Sequence, residues 1–332
     1  MTDHLQTSTP ASTAKLGVLV ANTGTPDQPT PPALRRYLAE FLSDRRVIEF
    51  PRWLWLPLLH GIILNVRPRR SARLYRRVWT EQGSPLLVYT QQLAARLESE
   101  LQQALARPVQ VVAGMRYGNP ALRQALHSLQ QAGASQILVL PLFPQYSGTT
   151  TGTILAAVMQ ELQRWRWVPP VRWVSDYHDH PAYIQALADN LRPQLAQGGK
   201  LLFSFHGIPQ SYVRAGDPYE HQCRRTAELL AQELGLAEAG WSLAFQSRFG
   251  PQAWLEPYTD EVLAGYGAQG LAHLQVACPG FAVDCLETTD EIGHEGRREF
   301  QGAGGGAFDY LPALNASPEH VRALAQIVLE QI

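Results

Sequence analysis

Short aliphatic runs recur along the chain at 16–21, 109–113, 136–140, 171–174, 201–205, 242–245, 273–277 and 308–311. Uninterrupted apolar runs of this length mark strands buried on both faces, as in a parallel sheet. Between most of them, apolar residues return at three-to-four spacing over 32–42, 91–105, 120–131, 154–164, 181–195, 219–234, 255–266 and 318–329, which predicts amphipathic helices. Pro32, Pro120, Pro181 and Pro318 stand where a first helical turn begins, a position that needs no N–H. Alternation of this kind predicts an α/β fold with parallel sheets flanked by helices.

The strand ends echo one another. The first strand leads into Asn22-Thr23-Gly24-Thr25-Pro26 and the fifth into His206-Gly207-Ile208-Pro209. Arg116-Tyr117-Gly118-Asn119-Pro120 follows the second and Arg248-Phe249-Gly250-Pro251 the sixth; Pro141-Leu142-Phe143 follows the third and Pro279-Gly280-Phe281 the seventh. Three echoes in the same order predict two similar four-stranded halves, 15–197 and 200–331. Ligands of open parallel sheets bind beyond the carboxyl ends of strands. The echoed loops are therefore expected to line one cleft between the halves.

Composition narrows the function classes. A chain of 332 residues is long enough for about two domains and a substantial core. Its formal net charge of −1 gives no electrostatic reason to expect a nucleic acid partner. The three cysteines, Cys223, Cys278 and Cys285, form no C-x-x-C pair and are too few to ligate an iron–sulfur cluster alone. Residues 1–14 are polar and Thr/Ser-rich and read as a frayed tail rather than a signal peptide. The most apolar stretch, 51–66, is too short to span a membrane and is interrupted by Pro57 and His60. It is either a core-packing segment or an exposed lip over a greasy ligand or a membrane surface, and an arginine-rich run from Arg67 to Arg77 follows it.

Two clusters carry candidate chemistry. His206 directly follows an apolar strand, where imidazole is open to service as a base or a metal ligand. Asp284, Glu287 and Glu291 would share one face if their segment is helical. Like charges on a stripe repel, so the arrangement points to a helix N-terminus, a divalent cation or a proton relay. Gly265-Tyr266-Gly267-Ala268-Gln269-Gly270 spells a dinucleotide motif but follows a helix and precedes a strand, the reverse of the required context. Asp176, His178, Asp179 and His180 resemble metal ligands, yet they precede Pro181, where capping is expected.

In combination the motifs resemble those of the ferrochelatase family, whose members insert ferrous iron into a porphyrin. The likeness rests on Ser204-Phe205-His206-Gly207-Ile208-Pro209 with Gly216-Asp217-Pro218-Tyr219, and on Pro144-Gln145-Tyr146-Ser147 and Gly114-Met115-Arg116-Tyr117. It extends to Gln246-Ser247-Arg248-Phe249-Gly250-Pro251 with Trp254, and to Phe281-Ala282-Val283-Asp284-Cys285-Leu286-Glu287-Thr288. The resemblance spans nearly the whole chain. It implies two Rossmann-like halves around a porphyrin cleft, with no tightly bound cofactor and Fe²⁺ as a substrate. It further implies catalytic and metal-contacting roles for His206 and Glu287 and an acidic relay through Asp284 and Glu291. Thr23, Tyr75, Arg116, Tyr146, Trp254 and Phe281 are implied around the macrocycle. Relatives often carry Met, Leu or Tyr where Thr23 stands, which weakens metal ligation from that side. The implied form is a bacterial-type cytoplasmic enzyme without a cluster, with 51–66 as a point of peripheral membrane contact and no oligomeric state specified.

Metal insertion needs two inner pyrrole protons to leave. A cleft that bends the planar ring exposes its nitrogen lone pairs. Neutral His206 would accept a pyrrole proton, and the acids would supply a metal path or carry protons away. Two rivals stand beside this expectation: a related chelatase acting on coproporphyrin or with cobalt, and a carrier that binds haem or porphyrin without chemistry. Likeness to proteobacterial members favours protoporphyrin.

Overall fold

The computed structural model describes residues 14–196 and 198–332. The tail expected at 1–14 lies outside the described residues apart from Ala14. The first sheet comprises β1 (Leu16–Thr25), β2 (Val109–Gly118), β3 (Gln136–Pro141) and β4 (Val171–Trp173) in the order β2-β1-β3-β4, all parallel. The second comprises β5 (Lys200–His206), β6 (Trp241–Gln246), β7 (His273–Ala277) and β8 (Ala307–Leu311) in the order β6-β5-β7-β8, again all parallel. The repeat read from the strand ends is thus a repeat of topology. In each half the first strand lies between the second and third, so the chain reverses its direction of travel across the sheet there. Side chains beyond that point fall into a natural crevice.

One strand end differs from expectation. β1 was expected to stop at Ala21, but its pairing with β2 continues to Thr25 opposite Gly118. Thr23 therefore lies within a strand rather than in a loop. Gly24 permits this close pairing: it adopts φ 109°, and a Cβ there would sit 1.8 Å from the Tyr117 carbonyl oxygen.

Helices fill the connections. The first half carries α1 (Pro31–Ser43), α2 (Arg52–Leu58), α3 (Leu64–Val78), α4 (Pro85–Ala104), α5 (Leu122–Gln131), α6 (Thr151–Leu162) and α7 (Pro181–Leu191). The second carries α8 (Gln210–Arg214), α9 (Tyr219–Glu233), α10 (Thr259–Ala268), α11 (Arg297–Gly302) and α12 (Pro318–Leu329). The helix expected from residue 255 begins only at Thr259, because Pro257 biases the residue before it away from helical geometry. The two halves are not separate bodies. α12 packs on α4 and α7, and α7 packs on α9. A single apolar core accordingly includes Val18, Leu138 and Leu187 with Phe203, Leu230 and Leu324.

The stretch 51–66 is an exposed lip. α2 and α3 are joined by a π-helical turn at Leu59–Ile63, and only one side of the assembly packs inward through Leu59, Leu64 and the Trp55 Nε1–H donated to the Leu42 carbonyl at 2.7 Å. The other side leaves Trp53, Ile62 and Val66 at 76%, 59% and 69% exposure. Among the described residues no helix is long and apolar enough to cross a membrane.

Candidate active site

His206 is the last residue of β5 and Phe281 follows β7, so the two flank the crevice of the second sheet, with ring centres 6.5 Å apart. His206 Nδ1 lies 2.6 Å from the carbonyl oxygen of Gly207. A carbonyl only accepts, so Nδ1 carries the proton and the neutral ring keeps its lone pair on Nε2. The loop is held tightly. Gly207 N–H donates to the Gln246 carbonyl at 2.8 Å, and a Cβ on Gly207 would approach that oxygen to 3.0 Å and Trp254 Cε3 to 3.3 Å.

The acidic segment folds differently from a simple amphipathic helix. A π-helix runs Glu287–Gly296 and continues into α11. Its i→i+5 bonding places residues four and five apart on one side, and such turns recur at functional sites. Glu287 and Glu291 are on it. Asp284 lies before it, so the expected stripe of three acids is a pair. The Asp284 carboxylate is turned away into a buried clamp: Oδ1 accepts from Thr288 Oγ1 at 3.0 Å and from the Tyr310 hydroxyl, and Oδ2 accepts from Asn315 Nδ2 at 2.7 Å. The Asp284 N–H in turn donates to Asn315 Oδ1 at 2.8 Å. A carboxylate so fully engaged anchors the entry to the π-helix.

Glu291 is held by one residue. Ser247 donates its N–H to Oε1 at 2.7 Å and its hydroxyl to Oε2 at 2.6 Å. Ser247 takes the left-handed conformation, φ 65°, that directs both donors to the same carboxylate. Burial pushes the Glu291 carboxyl up, while Ser247 and the nearby His206 oppose the rise. Glu287 faces the first half. Its charge, after burial, helps push the phenol of Tyr37 well up, and it acts likewise on Tyr75 after burial and Tyr37 itself. Burial, then Glu287, also holds the Cys285 thiol protonated, which makes it an inert neighbour.

The remaining residues range from exposed to buried. Trp254 is buried: its indole N–H donates to the Phe249 carbonyl at 2.9 Å and its ring backs Gly207. The aromatic exposed beside it is Phe249, with ring centres 4.8 Å apart. Arg116 forms an ion pair with Asp44 and donates Nε–H to the Thr153 carbonyl at 3.0 Å. Two cations of α3 reach across: Arg67, its guanidinium carbon 5.9 Å from the centre of the Phe249 ring and within the field of Glu287, and Arg77, which pairs with Asp290 at 3.2 Å. Tyr75 is buried against Trp79, and Tyr146 is half-buried, its N–H on Gln222 Oε1 at 2.6 Å. Thr23 is half-buried, with its N–H on Asn22 Oδ1 at 2.7 Å. The sequence assigns no role to Tyr37, Gln246, Ser247 or Phe249. Three of these lie in the motif 246–251, where a polar pair directly following a buried strand was the available signal.

The second histidine group stands elsewhere. His180 caps α7, accepting from Ala182 N–H at 3.2 Å, as capping chemistry predicts. Asp176, His178 and Asp179 bring three potential ligand atoms within 4.8 Å of one another after β4, where His178 is bonded to Asp176 at 2.7 Å.

The chain matches known proteins along its length. The Ferrochelatase family model covers residues 15–332. The ferrochelatase of Thioalkalivibrio sulfidiphilus is 55% identical over 320 residues, covering 96% of this chain and 87% of that protein. That of Nitrosococcus oceani is 50% identical, with the same coverages, and that of Aeromonas hydrophila is 48% identical, covering 96% and 99%. Two solved structures share the fold at low identity. SirB from Bacillus subtilis with Fe³⁺ has a TM-score of 0.57 at 13% identity and covers 96% of this chain and 95% of its own. CbiX, described as the terminal enzyme of sirohaem biosynthesis in denitrifying bacteria, has a TM-score of 0.51 at 16% identity and covers 95% and 99%. The topology of the two sheets, the His206 loop and this full-length similarity agree: the chain belongs to the ferrochelatase family.

Proposed function

We propose that this chain inserts Fe²⁺ into protoporphyrin IX to give protohaem, acting in the crevice at the carboxyl ends of β1 and β5. The observation that carries the mechanism is the bond from His206 Nδ1 to Gly207, which makes Nε2 the ring nitrogen free to exchange a proton. Free-base porphyrin loses two inner protons as one Fe²⁺ enters, so charge is conserved and two protons must be taken up. Metal and proton use the Nε2 lone pair in turn: His206 and Glu287 form the donor set that meets the arriving Fe²⁺, and as the metal passes to the ring nitrogens His206 Nε2 takes one pyrrole proton and the Glu287 carboxylate the other. Imidazole with carboxylate suits Fe²⁺ and other divalent first-row metals. Glu291 stands one helical turn behind Glu287, and its raised carboxyl pKa suits a group that accepts protons and releases them to solvent. Asp284 serves as the anchor of this segment rather than as a relay member.

The walls supply binding and distortion. Phe249, Phe281 and the lip offer apolar and aromatic surface to the macrocycle, and Arg67 and Arg116 offer positive charge to its propionates. Thr23, Tyr75 and Tyr146 contribute from the first half, and Trp254 supports the His206 loop from behind. The exposed apolar row of Trp53, Ile62 and Val66, followed by the arginines of α3, supports peripheral contact with an anionic membrane surface. We place the enzyme in the cytoplasm on its likeness to bacterial members.

The test is anaerobic mixing of the protein with protoporphyrin IX and Fe²⁺, following loss of free-base absorption beside a His206→Ala variant. Rapid conversion that collapses in the variant is the expected result. Binding without metalation in wild type would overturn it, and the same assay with coproporphyrin or Co²⁺ then distinguishes a related chelatase from a carrier.

A further inference from the structure

The end of β6 is bonded to the backbone beside each of the two reacting groups. Gln246 lies opposite His206 in the register of β5 and β6, and its carbonyl oxygen receives the Gly207 N–H at 2.8 Å. That same glycine supplies the carbonyl that sets the His206 tautomer. The Gln246 side chain, 3% exposed, extends the other way: Nε2 donates to the backbone carbonyl of Glu287 at 2.8 Å. Its amide cannot turn over freely. Oε1 accepts from the Ser204 hydroxyl at 2.7 Å and from the Cys278 thiol at 3.6 Å, and Ser204 is paired with Thr259 at 2.9 Å. One buried amide therefore has its oxygen fastened to β5 and β7 and its nitrogen fastened to the first turn of the π-helix.

We propose that Gln246 is a positioning residue that sets the separation of His206 Nε2 from the Glu287 carboxylate. It touches neither porphyrin nor metal by this account. Its two ends join the strand that carries the imidazole to the helix that carries the acid, so loss of the side-chain bond lets the π-helix entry drift while the His206 loop stays bonded through the backbone. Asp284 and Asn315 tether the same entry from the opposite side, toward β8. Gln246 is the link between the two groups themselves. The inference rests on the chelatase reading above.

The test compares wild type with Gln246→Met, which keeps length and apolar volume, and with Ser204→Ala, which frees the amide to rotate. Misplacement of a reacting group by about 1 Å can cost on the order of a hundredfold in rate. Gln246→Met is expected to lower kcat roughly tenfold to a hundredfold and to raise KM for Fe²⁺, with KM for porphyrin unchanged. Ser204→Ala is expected to show the same pattern at smaller size, and it carries the test if Gln246→Met fails to fold. Wild-type kcat and Fe²⁺ KM in the folded variants, or an equal rise in both KM values, would overturn the role. A second readout is independent of turnover: Co²⁺ added without porphyrin, whose visible absorption reports its ligands. Its spectrum should change in Gln246→Met, and an unchanged spectrum overturns the positioning role alone. Absence of metalation in wild type sinks the chelatase reading, and absence of any Co²⁺ band as well sinks both.

Discussion

The Nδ1–H of His206 donates to the carbonyl of Gly207, the very next residue, so the imidazole is locked by its own loop rather than by a carboxylate. That locks the basic lone pair on Nε2 with an uncharged partner on Nδ1. Loss of a positioned general base costs typically 10²–10⁴ in rate. His206→Ala is expected to lower kcat for metalation by about that factor, with porphyrin binding retained. Gly207→Ala brings a Cβ to 3.0 Å from the Gln246 carbonyl and 3.3 Å from Trp254. It should retain binding and lose about tenfold in kcat, a loss of the same kind but smaller than removal of the base. Fluorescence titration of porphyrin beside stopped-flow metalation separates the two effects.

Glu291 supplies a pH signature. Burial raises its carboxyl pKa and the two Ser247 donors oppose the rise by stabilising the charged form. Proton uptake needs the ionised form, so activity should climb with pH through the raised value. Ser247→Ala removes the hydroxyl donor, disfavours the carboxylate and moves that climb to higher pH. A kcat profile of the variant that overlays the wild type would remove Glu291 from the proton path.

Asp284 and Glu287 should separate cleanly into anchor and reactant. Asp284 is buried with three side-chain donors, and hydrogen bonds to charged groups are worth about 1.5–3 kcal/mol each. Asn315→Ala removes one of those donors and is expected to destabilise the fold by about 2–3 kcal/mol in urea unfolding. Glu287→Gln should leave stability within about 0.5 kcal/mol, because the residue is half-buried, and abolish metalation. A stable, inactive Asn315→Ala would reverse the assignment.

The lip makes a prediction free of stability effects. Trp53 and Ile62 are exposed and hold nothing inside, so Trp53→Glu with Ile62→Glu should leave unfolding within about 0.5 kcal/mol per site. Sedimentation with anionic phospholipid vesicles should fall at least tenfold for the double variant. Retained vesicle binding would assign the apolar row to something other than membrane contact.

What the sequence made legible follows from how local each signal is. All eight strands were readable because burial on both faces needs only a short aliphatic run. The paired topology was readable because each half repeats its turn residues at the strand ends. α2 is not legible as a helix, since Pro57 lies inside it and it buries no residue, whereas the arginine run of α3 is readable as a solvated helix face whose other side buries Leu64, Pro68, Ala72 and Tyr75. The π-helix has no sequence period of its own, so Asp284, Glu287 and Glu291 looked equivalent when only the last two lie on it. The motif 246–251 was visible as a motif, but not that Trp254 is buried with Phe249 exposed, or that Gln246 reaches Glu287. Those facts depend on which chain segments meet, which spacing does not encode.

His320 ties the stability of the fold to pH. It is fully buried on α12, with Nδ1 on the Asn315 carbonyl at 2.6 Å and Nε2 without a partner. Burial holds its imidazole down at about 4, against about 6.5 in an unfolded chain. Between those values the unfolded state binds the proton and the folded state does not, so stability falls as pH drops from about 6.5 towards 4 and is fully present above that window. The shift corresponds to about 3 kcal/mol, a large share of the stability of an ordinary domain. The same residue holds the backbone of Asn315, whose side chain grips Asp284 and through it the entry to the π-helix. Acid should therefore loosen the active-site entry before it unfolds the rest. His320→Phe removes the titrating group, and urea unfolding from pH 7 to pH 4.5 should lose most of its acid limb in that variant. An acid limb of unchanged slope would show that other groups set it.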